Sequence, residues 1–326
     1  MNVNLCKCND WSEKMKLCSV VVPCYNEEET IEIFYNEMMK YIPKMSDLDF
    51  EFIFVDDGST DRSLMIMKEL AAKDERVKYI SFSRNFGKEA GLFAGLEAAS
   101  GDYIVTMDVD LQDPPYLLED MYKAVRDEGY DCAATMRTDR KGEAPIRSWF
   151  AKKFYRLINK ISNADIVDGA RDYRFMTRQM VDSVLSMREY NRFTKGIFGW
   201  IGFKTKWIPF ENVERSAGTT KWSFWKLFLY ALEGIIAFST TPLWIASLCG
   251  IFCCFSAVIA LLFIIIRALA FGDPVQGWPS TISIVLFIGG LQMLFMGIMG
   301  MYLSKLYLEA KDRPIYITRE TNVEKK

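Results

Sequence analysis

Residues 103–115 read YIVTMDVDLQDPP, an apolar run that ends in two aspartates and an amide before a Pro-Pro pair. The apolar run predicts a buried strand, which the prolines prevent from continuing. Residues two apart in a strand point to the same side, so Asp108, Asp110 and Gln112 can converge beyond its end. Oxygen ligands of this kind suit Mg²⁺ or Mn²⁺, which also bind substrate phosphates. Taken alone, the same residues are also compatible with a surface turn that carries scattered acids.

The composition of the 326-residue chain limits the chemistry that it can carry out. It contains no histidine, which excludes a Ser-His-Asp triad, a histidine base and a histidine metal ligand. A formal net charge of −2 gives no reason to expect nucleic acid as a partner. The 8 cysteines lack the paired spacing of a zinc site, and we interpret them as free thiols in a reducing compartment. Proton transfer must use a carboxylate, Lys, Tyr, Cys or the substrate itself.

The first half of the chain alternates short β-rich runs with helical patterns. Asn26 followed by three glutamates predicts a capped helix start, and 61–72 and 88–99 are further helices. The alternation predicts an α/β fold with a mostly parallel sheet and helices on both faces. Ligands of such sheets bind beyond the carboxyl ends of the strands. The predicted strands are 17–22, 50–55, 77–82, 103–107 and 132–135.

Two uncharged apolar runs near the C-terminus, 243–266 and 281–303, are each long enough to cross a hydrocarbon core of about 30 Å. We expect two transmembrane helices. Lys and Arg are frequent before the first run and after the second, so the positive-inside rule places both termini in the cytoplasm. Residues 146–161 carry apolar and basic faces at helical spacing, which favours an amphipathic helix in the membrane interface. A helix packed on the soluble domain is the alternative.

These patterns predict the organisation of the whole chain. The N-terminus lacks the apolar core of a signal peptide, so we expect the first domain to stay on the side of synthesis. We therefore predict a multi-pass protein of the inner (cytoplasmic) membrane. Its predicted parts are an N-terminal tail (1–16), an α/β domain (17–225), a juxtamembrane helix (226–240), two transmembrane helices (241–304) and a cytoplasmic tail (305–326).

Polar motifs follow four predicted strands in succession. They are VPCYNEE at 22–28, VDDGSTD at 55–61, SRNFGKEA at 83–90 and DVDLQDPP at 108–115. Asp56 and Asp57 can accept hydrogen bonds from a base or from ribose hydroxyls, and Tyr25 can pack against a base. Neither G-x-G-x-x-G nor a P-loop motif is present, which argues against a dinucleotide or P-loop nucleotide site.

The four ordered motifs resemble glycosyltransferase family 2, and in particular its polyprenyl-phosphate glycosyltransferases, over roughly residues 17–225. The resemblance implies a GT-A, Rossmann-like catalytic domain, a nucleotide-sugar donor, Mg²⁺ or Mn²⁺ as cofactor, and inversion at the anomeric carbon. The implied acceptor is a membrane polyprenyl phosphate such as undecaprenyl phosphate. The resemblance favours UDP-glucose as the donor, and UDP-N-acetylglucosamine or another sugar nucleotide is the alternative. A homo-oligomer, a tetramer, is a further expectation from the family.

The resemblance also implies roles for individual residues. In the motif DGARDYR at 168–174, Asp172 matches the position of the base, and Arg171 replaces the family's usual glycine. The metal site falls on Asp108, Asp110 and Gln112. Catalysis is assigned to Asp172, Asp110 and Arg215. Nucleotide-sugar binding falls on Pro23, Tyr25, Glu27, Asp56, Asp57, Lys88 and Asp108.

The acceptor chemistry predicts a phosphate clamp. A phosphate monoester has a second pKa of about 6 and is largely ionised at neutral pH, so its attack on the sugar needs little help from a base. Cations are needed to hold it near the donor diphosphate, and Arg137, Arg215 and Lys221 are the candidates. Two alternatives remain at this point. A processive polysaccharide synthase would need more spans and a Q-x-x-R-W motif, and a non-catalytic membrane scaffold would have degenerate metal ligands.

Overall fold

The computed structural model describes residues 15–138, 159, 167, 169–210, 236, 239–271 and 277–324. An eight-stranded mixed sheet has the order β7-β5-β6-β4-β1-β2-β3-β8. Its strands are β1 (Lys16–Cys24), β2 (Leu48–Asp56), β3 (Val77–Phe82), β4 (Tyr103–Thr106), β5 (Cys132–Arg137), β6 (Ala170–Thr177), β7 (Thr205–Phe210) and β8 (Thr318–Thr321). The helices are α1 (Ile31–Tyr41), α2 (Ser63–Lys73), α3 (Lys88–Ala98), α4 (Leu118–Arg126), α5 (Arg178–Ser186), α6 (Thr194–Trp200), α7 (Thr241–Phe271) and α8 (Trp278–Ala310), with 3-10 turns at Ile42–Lys44 and Pro115–Leu117.

The centre of the sheet is parallel. Strand β1 pairs in parallel with β2 on one side and β4 on the other, and β2 pairs with β3. The strand order therefore reverses direction beside β1, and ligands of open α/β sheets bind at the carboxyl ends of the strands at such a point. The sheet continues through β6, which is antiparallel to β4 and pairs Thr106 with Arg174. This register brings the start of β6, and Asp172 with it, beside the end of β4.

Helices cover both faces of the sheet, as the sequence predicted. One face buries a core that includes Phe34 of α1 with Phe52 and Phe54 of β2. The opposite face buries a second core that includes Leu96 of α3 and Ile197 of α6. Full burial of one such side chain contributes about 1.5–3 kcal/mol, so the two cores fix the strand ends that carry the polar motifs. The predicted α/β class with a mostly parallel sheet is confirmed.

The start of α1 differs from the prediction. The helix begins at Ile31, after Thr30, so the expected cap at Asn26 is wrong. Asn26 instead has φ +54°. Its side-chain oxygen accepts a hydrogen bond from the Thr60 amide at 2.9 Å, and its own amide donates to Ser59 Oγ at 3.0 Å. Asn26 therefore ties the loop after β1 to the loop after β2, which competes with capping because the same side chain cannot do both.

The C-terminal region contains two helices that are long and apolar enough to cross a membrane. The segments are Thr241–Ala260, with a mean hydropathy of 2.3, and Phe287–Ala310, with a mean hydropathy of 1.5. Helix α8 continues to Ala310, and β8 then pairs antiparallel with the edge strand β3. The region predicted as a tail from 305 onward thus contributes the end of a helix and a strand of the sheet. Most of the helix predicted at 146–161 and most of the one predicted at 226–240 lie outside the described residues.

Candidate active site

The loop after β4 forms the floor of the candidate site. Its shape depends on Asp113, which is fully buried and accepts a hydrogen bond from the Asp108 amide at 3.2 Å. Within the loop, the main-chain amide of Gln112 donates to Asp110 Oδ1 at 3.2 Å. Leu111 takes the left-handed backbone conformation with φ +56°. The loop therefore presents its acidic side chains at the carboxyl edge of the sheet, where the strand order reverses.

Lys88, the first residue of α3, joins two carboxylates of this site. Its Nζ lies 2.6 Å from Asp108 Oδ1 and donates to Asp172 Oδ2 at 2.7 Å. The Lys88 side chain is 44% exposed, so a ligand can reach it. Burial disfavours the charged amine, but the two carboxylates outweigh burial and hold the pKa of Lys88 well above its usual range. The ammonium is thus a permanent positive charge between Asp108 and Asp172.

Asp172 is held in its ionised form. Burial opposes the ionisation of this carboxyl, but Lys195 and Lys88 outweigh burial and keep the pKa of Asp172 well below its usual range. Lys195 Nζ lies 3.8 Å from Asp172 Oδ1, and Thr106 Oγ1 donates to the main-chain oxygen of Asp172. A carboxylate with such a low pKa is a weak proton acceptor. Its position suits the orientation of neighbouring groups better than the removal of a proton.

Arg171 contacts two carboxylates of the loop after β4. The sequence did not predict these contacts. Its Nε donates to Asp113 Oδ1 at 3.1 Å, and its Nη2 lies 3.7 Å from Asp108 Oδ2. Burial raises the pKa of Asp113 to about 6, and Arg171 opposes that rise. The only signal in the sequence was the departure of Arg171 from the glycine that is usual in the motif. The substitution adds a cation beside the carboxylates of the loop.

The two acids that are predicted to bind the nucleotide, Asp56 and Asp57, accept hydrogen bonds from the loops of the site. Asp56 is buried and accepts hydrogen bonds from Ser81 Oγ at 2.7 Å and from the Ser59 amide at 2.9 Å. Asp57 accepts from the amides of Phe86 and Gly87 at 2.6 Å and 2.9 Å, and burial raises its pKa. These contacts draw the loops after β2 and β3 together. Direct contact of either acid with a nucleotide stays a prediction.

The other residues of the predicted nucleotide side lie at the end of β1 and on the loop that follows it. The ring of Tyr25 is 47% exposed and open to a planar base. Glu27 accepts from Thr30 Oγ1 at 2.7 Å, and its amide donates to Ser63 Oγ at 2.8 Å. Pro23 lies close to Gly91 of α3, where an added Cβ would come within 3.2 Å of the proline ring. The end of β1 therefore packs closely against α3.

The donor set of the predicted metal site fits a hard divalent cation by its chemistry. Asp108 and Asp110 offer carboxylates and Gln112 an amide oxygen, all three partly exposed on one loop. Gln112 Oε1 accepts from Arg137 Nη2 at 3.4 Å. Within the described part of the chain, no group of three or more His, Cys, Asp or Glu residues is placed to hold a metal. The predicted set of metal ligands therefore needs the side-chain oxygen of Gln112 as its third member. The ammonium of Lys88 is the positive charge that lies next to the Asp108 carboxylate.

Part of the predicted clamp can be placed. Arg137 ends β5 and contacts Gln112, so it lies beside the loop after β4. Arg215, Lys221 and Asp168 lie outside the described residues. The structure therefore brings together Lys88, Asp108, Asp172 and Arg137 with the loops that carry the other predicted site residues.

Comparison with known proteins agrees with these motifs. The family described as Glycosyl transferase family 2 matches residues 19–185. CsbB of Bacillus subtilis (strain 168) is 42% identical over 96% of this chain and 94% of its own length. The SfII prophage-derived bactoprenol glucosyl transferase of Shigella flexneri is 40% identical over 93% of this chain and 98% of its own length. Among solved structures, glucosyl-3-phosphoglycerate synthase from Mycobacterium tuberculosis superposes with a TM-score of 0.46 and 20% identity, over 68% of this chain and 78% of that one.

Proposed function

The chain belongs to glycosyltransferase family 2 and is a glycosyltransferase, and from this premise we propose that it transfers glucose from UDP-glucose to a membrane polyprenyl phosphate such as undecaprenyl phosphate. The observation that carries the proposal is the pair of ammonium groups, Lys88 and Lys195, that lie next to the two carboxylate oxygens of Asp172. A site of this kind can accept a second anion beside the donor diphosphate. The bactoprenol glucosyl transferase of Shigella flexneri aligns along 93% of this chain and 98% of its own length.

The chemistry requires little proton transfer. An oxygen of the acceptor phosphate attacks C1 of the sugar, the bond from C1 to the diphosphate oxygen breaks, and the diphosphate leaves with the electron pair. A single displacement of this kind inverts the anomeric carbon. Because the acceptor phosphate is already ionised above its second pKa of about 6, no strong base is needed. Asp172, with its low pKa, orients Lys88 and Lys195 toward the two anions.

We also propose that Asp108, Asp110 and Gln112 hold a divalent cation, Mg²⁺ or Mn²⁺. When bound, the cation supplies positive charge that stabilises the departing nucleoside diphosphate. Lys88 must then share or release Asp108, because its ammonium already neutralises that carboxylate. On the nucleotide side, Tyr25 packs against the base beside Asp56 and Asp57. Arg137 contributes to the phosphate clamp together with Arg215 and Lys221.

We propose that α7 and α8 cross the membrane once each, with the α/β domain on the cytoplasmic side. The sheet includes strands from both sides of this helical pair, since β7 precedes α7 and β8 follows α8. The chain must therefore leave and return on the same side, which an even number of crossings satisfies. The frequency of Lys and Arg before α7 and after α8 supports the cytoplasmic side for the α/β domain. A homo-oligomer stays a prediction from the family.

A donor screen tests the proposed function. The purified full-length chain is incubated with undecaprenyl phosphate and a panel of UDP- and GDP-sugars, and the release of nucleoside diphosphate is followed. We expect release with UDP-glucose that requires both the lipid and a divalent cation. A matched reaction without the lipid measures background hydrolysis. Equal release with and without the lipid, for every donor, would contradict the assignment of the acceptor.

A further inference from the structure

A cavity of about 290 Å³ lies next to the loop that follows β3, outside the cluster around Asp108. We name it the junction cavity. Three segments distant in the sequence line it: the loop and first turn at 84–90, the loop at 190–192, and Ile315 after α8. Its volume is near the lower end of the range for small-molecule sites, which suits a small head group better than a whole nucleotide sugar. None of the roles described above uses its two arginines.

Two buried hydrogen-bond donors in the lining have no partner among the residues that the structure describes. Arg192 is only 8% exposed, and its Nε has no hydrogen-bond partner among the described residues. Its Nη1 and Nη2 donate to the main-chain oxygens of Met187 and Val184. The adjacent Asn191 Nδ2 is likewise buried without a partner in the described part of the chain, although Asn191 Oδ1 accepts from Lys305 Nζ at 3.1 Å. Buried donors are almost always satisfied in folded proteins, so this pair points to a missing acceptor.

The charge around the cavity favours an anion as that acceptor. Arg192 packs over the ring of Phe93 at 4.5 Å, and Arg84, at the exposed side of the lining, packs over Phe86 at 4.2 Å. Glu89 also lines the cavity; Thr194 donates two hydrogen bonds to its Oε2, and burial raises the pKa of this carboxyl, which disfavours its charged form. Glu89 and Glu189 act on Arg192 only electrostatically. Two guanidinium groups and an amide that needs acceptors therefore share one opening.

The position of the cavity suggests where such an anion comes from. Glu309, near the end of α8, accepts hydrogen bonds from the amides of Tyr190 at 2.9 Å and Asn191 at 3.3 Å. The loop at 190–192 is thus fixed to the last turn of the second apolar helix. If α8 crosses a bilayer, its end lies at the depth of the lipid head groups, where phosphate is the common anion. Guanidinium groups donate charge-assisted hydrogen bonds to phosphate, and Arg192 offers its Nε for one of them.

We propose that the junction cavity is a phosphate-binding site, in which Arg84, Arg192 and Asn191 hold a phosphate group beside the end of α8. The group comes from the head group of an anionic phospholipid or from free phosphate. The lining of the cavity does not include Lys88, Asp108 or Asp172, so the proposal does not depend on the nature of the sugar or of the acceptor. Occupation of the cavity satisfies the donors of Asn191 and Arg192 and connects the loop after β3 to the membrane helix.

The test uses the full-length protein in detergent and two measurements. The thermal unfolding midpoint is followed against sodium phosphate, with sodium chloride of equal ionic strength as reference. Native mass spectrometry counts phosphatidylglycerol that remains bound after incubation with that lipid. The variants are Arg84→Gln, which changes an exposed side chain and should fold, and Arg192→Gln. Arg188→Gln is the matched control, because Arg188 is an exposed arginine in the segment before the loop at 190–192 and does not line the cavity.

We expect wild type and Arg188→Gln to behave alike, and Arg84→Gln to lose about tenfold in affinity, the effect of one charge-assisted contact. Retention of phosphatidylglycerol by wild type and its loss in Arg84→Gln identifies the lipid as the source. A saturable effect of phosphate without lipid retention identifies free phosphate as the source. If neither probe binds, or if Arg84→Gln and Arg188→Gln bind as wild type does, the proposed site is wrong.

Discussion

The ammonium of Lys88 lies 2.6 Å from Asp108 Oδ1 and 2.7 Å from Asp172 Oδ2, so one side chain joins the loop after β4 to the start of β6. The two carboxylates come from different strands and would repel each other without a cation between them. Lys88 therefore defines the geometry of the site in the absence of ligands. It is also the group with which a divalent cation must compete for Asp108.

Replacement of Lys88 tests this competition. Lys88→Met keeps much of the side-chain length and removes the charge, so transfer should fall by at least about 100-fold because the preorganised cation is lost. Binding of Mn²⁺ without donor, measured by electron paramagnetic resonance, should become tighter since Asp108 is then free to bind it. Lys123→Met, on the exposed side of α4, is the control and should behave as wild type. Unchanged Mn²⁺ affinity in Lys88→Met would show that the metal does not use Asp108.

Asp110→Asn tests the metal ligands themselves. The change keeps the size of the side chain and removes one carboxylate from a hard-cation site, so activity that depends on the metal should be lost. The thermal unfolding midpoint should change little, because Asp110 is partly exposed. Asp120→Asn, an exposed acid on α4, serves as control in the same steady-state assay. Full activity of wild type in EDTA would show that transfer does not require a divalent cation.

The pH dependence of transfer should follow the acceptor phosphate and not Asp172. The pKa of Asp172 lies well below its usual range, so this carboxylate stays ionised as the pH falls from 8 to 5. The acceptor phosphate gains a proton below its second pKa of about 6, and kcat/KM for the lipid should decline there. Asp172→Asn should lower the rate and leave the midpoint of this decline in place. A midpoint that moves or disappears in Asp172→Asn would identify Asp172 as the base.

The C-terminal strand should stabilise the sheet. Tyr316 stacks on Phe82 with ring centroids 4.9 Å apart, and Lys68 pairs with Glu320 of β8 at 2.6 Å. A chain that ends at Pro314 loses both contacts, and we expect its free energy of unfolding to fall by about 2 kcal/mol, mainly from the partly buried tyrosine. A chain that ends at Glu324 is the control. Equal unfolding midpoints for the two truncations would show that β8 contributes nothing.

The sequence predicted the parallel centre of the sheet well, because those strands are continuous apolar runs. Strand β3 was predicted with its observed ends at Val77 and Phe82, and β1, β2, β4 and β5 within a few residues. Strand β6 was not predicted, since Asp172 and Arg174 interrupt its apolar pattern. Strand β8 was also missed, because the polar segment TRET becomes a strand only through its contacts with β3.

The site was predictable in its residue types and less so in its contacts. The motif after the fourth predicted strand gave Asp108 as a site residue, and the resemblance to a known family added Asp172 and supplied the roles of both. The bridge from Lys88 to Asp172 spans 84 residues of chain. Local periodicity carries no information about such a contact. The same holds for Arg171, whose role depends on the buried carboxylate of Asp113 behind the loop.

The most direct test of the central claim is the transfer of labelled glucose into the lipid. Purified wild-type protein is incubated with UDP-[¹⁴C]glucose and undecaprenyl phosphate, and the organic phase is counted and analysed by mass spectrometry. We predict label in the organic phase only when lipid and divalent cation are both present. The product should carry one β-linked glucose for each phosphate, and Asp108→Asn should form almost none. Label in a polymer, or no lipid-dependent label with this donor or any other sugar nucleotide, would contradict the account.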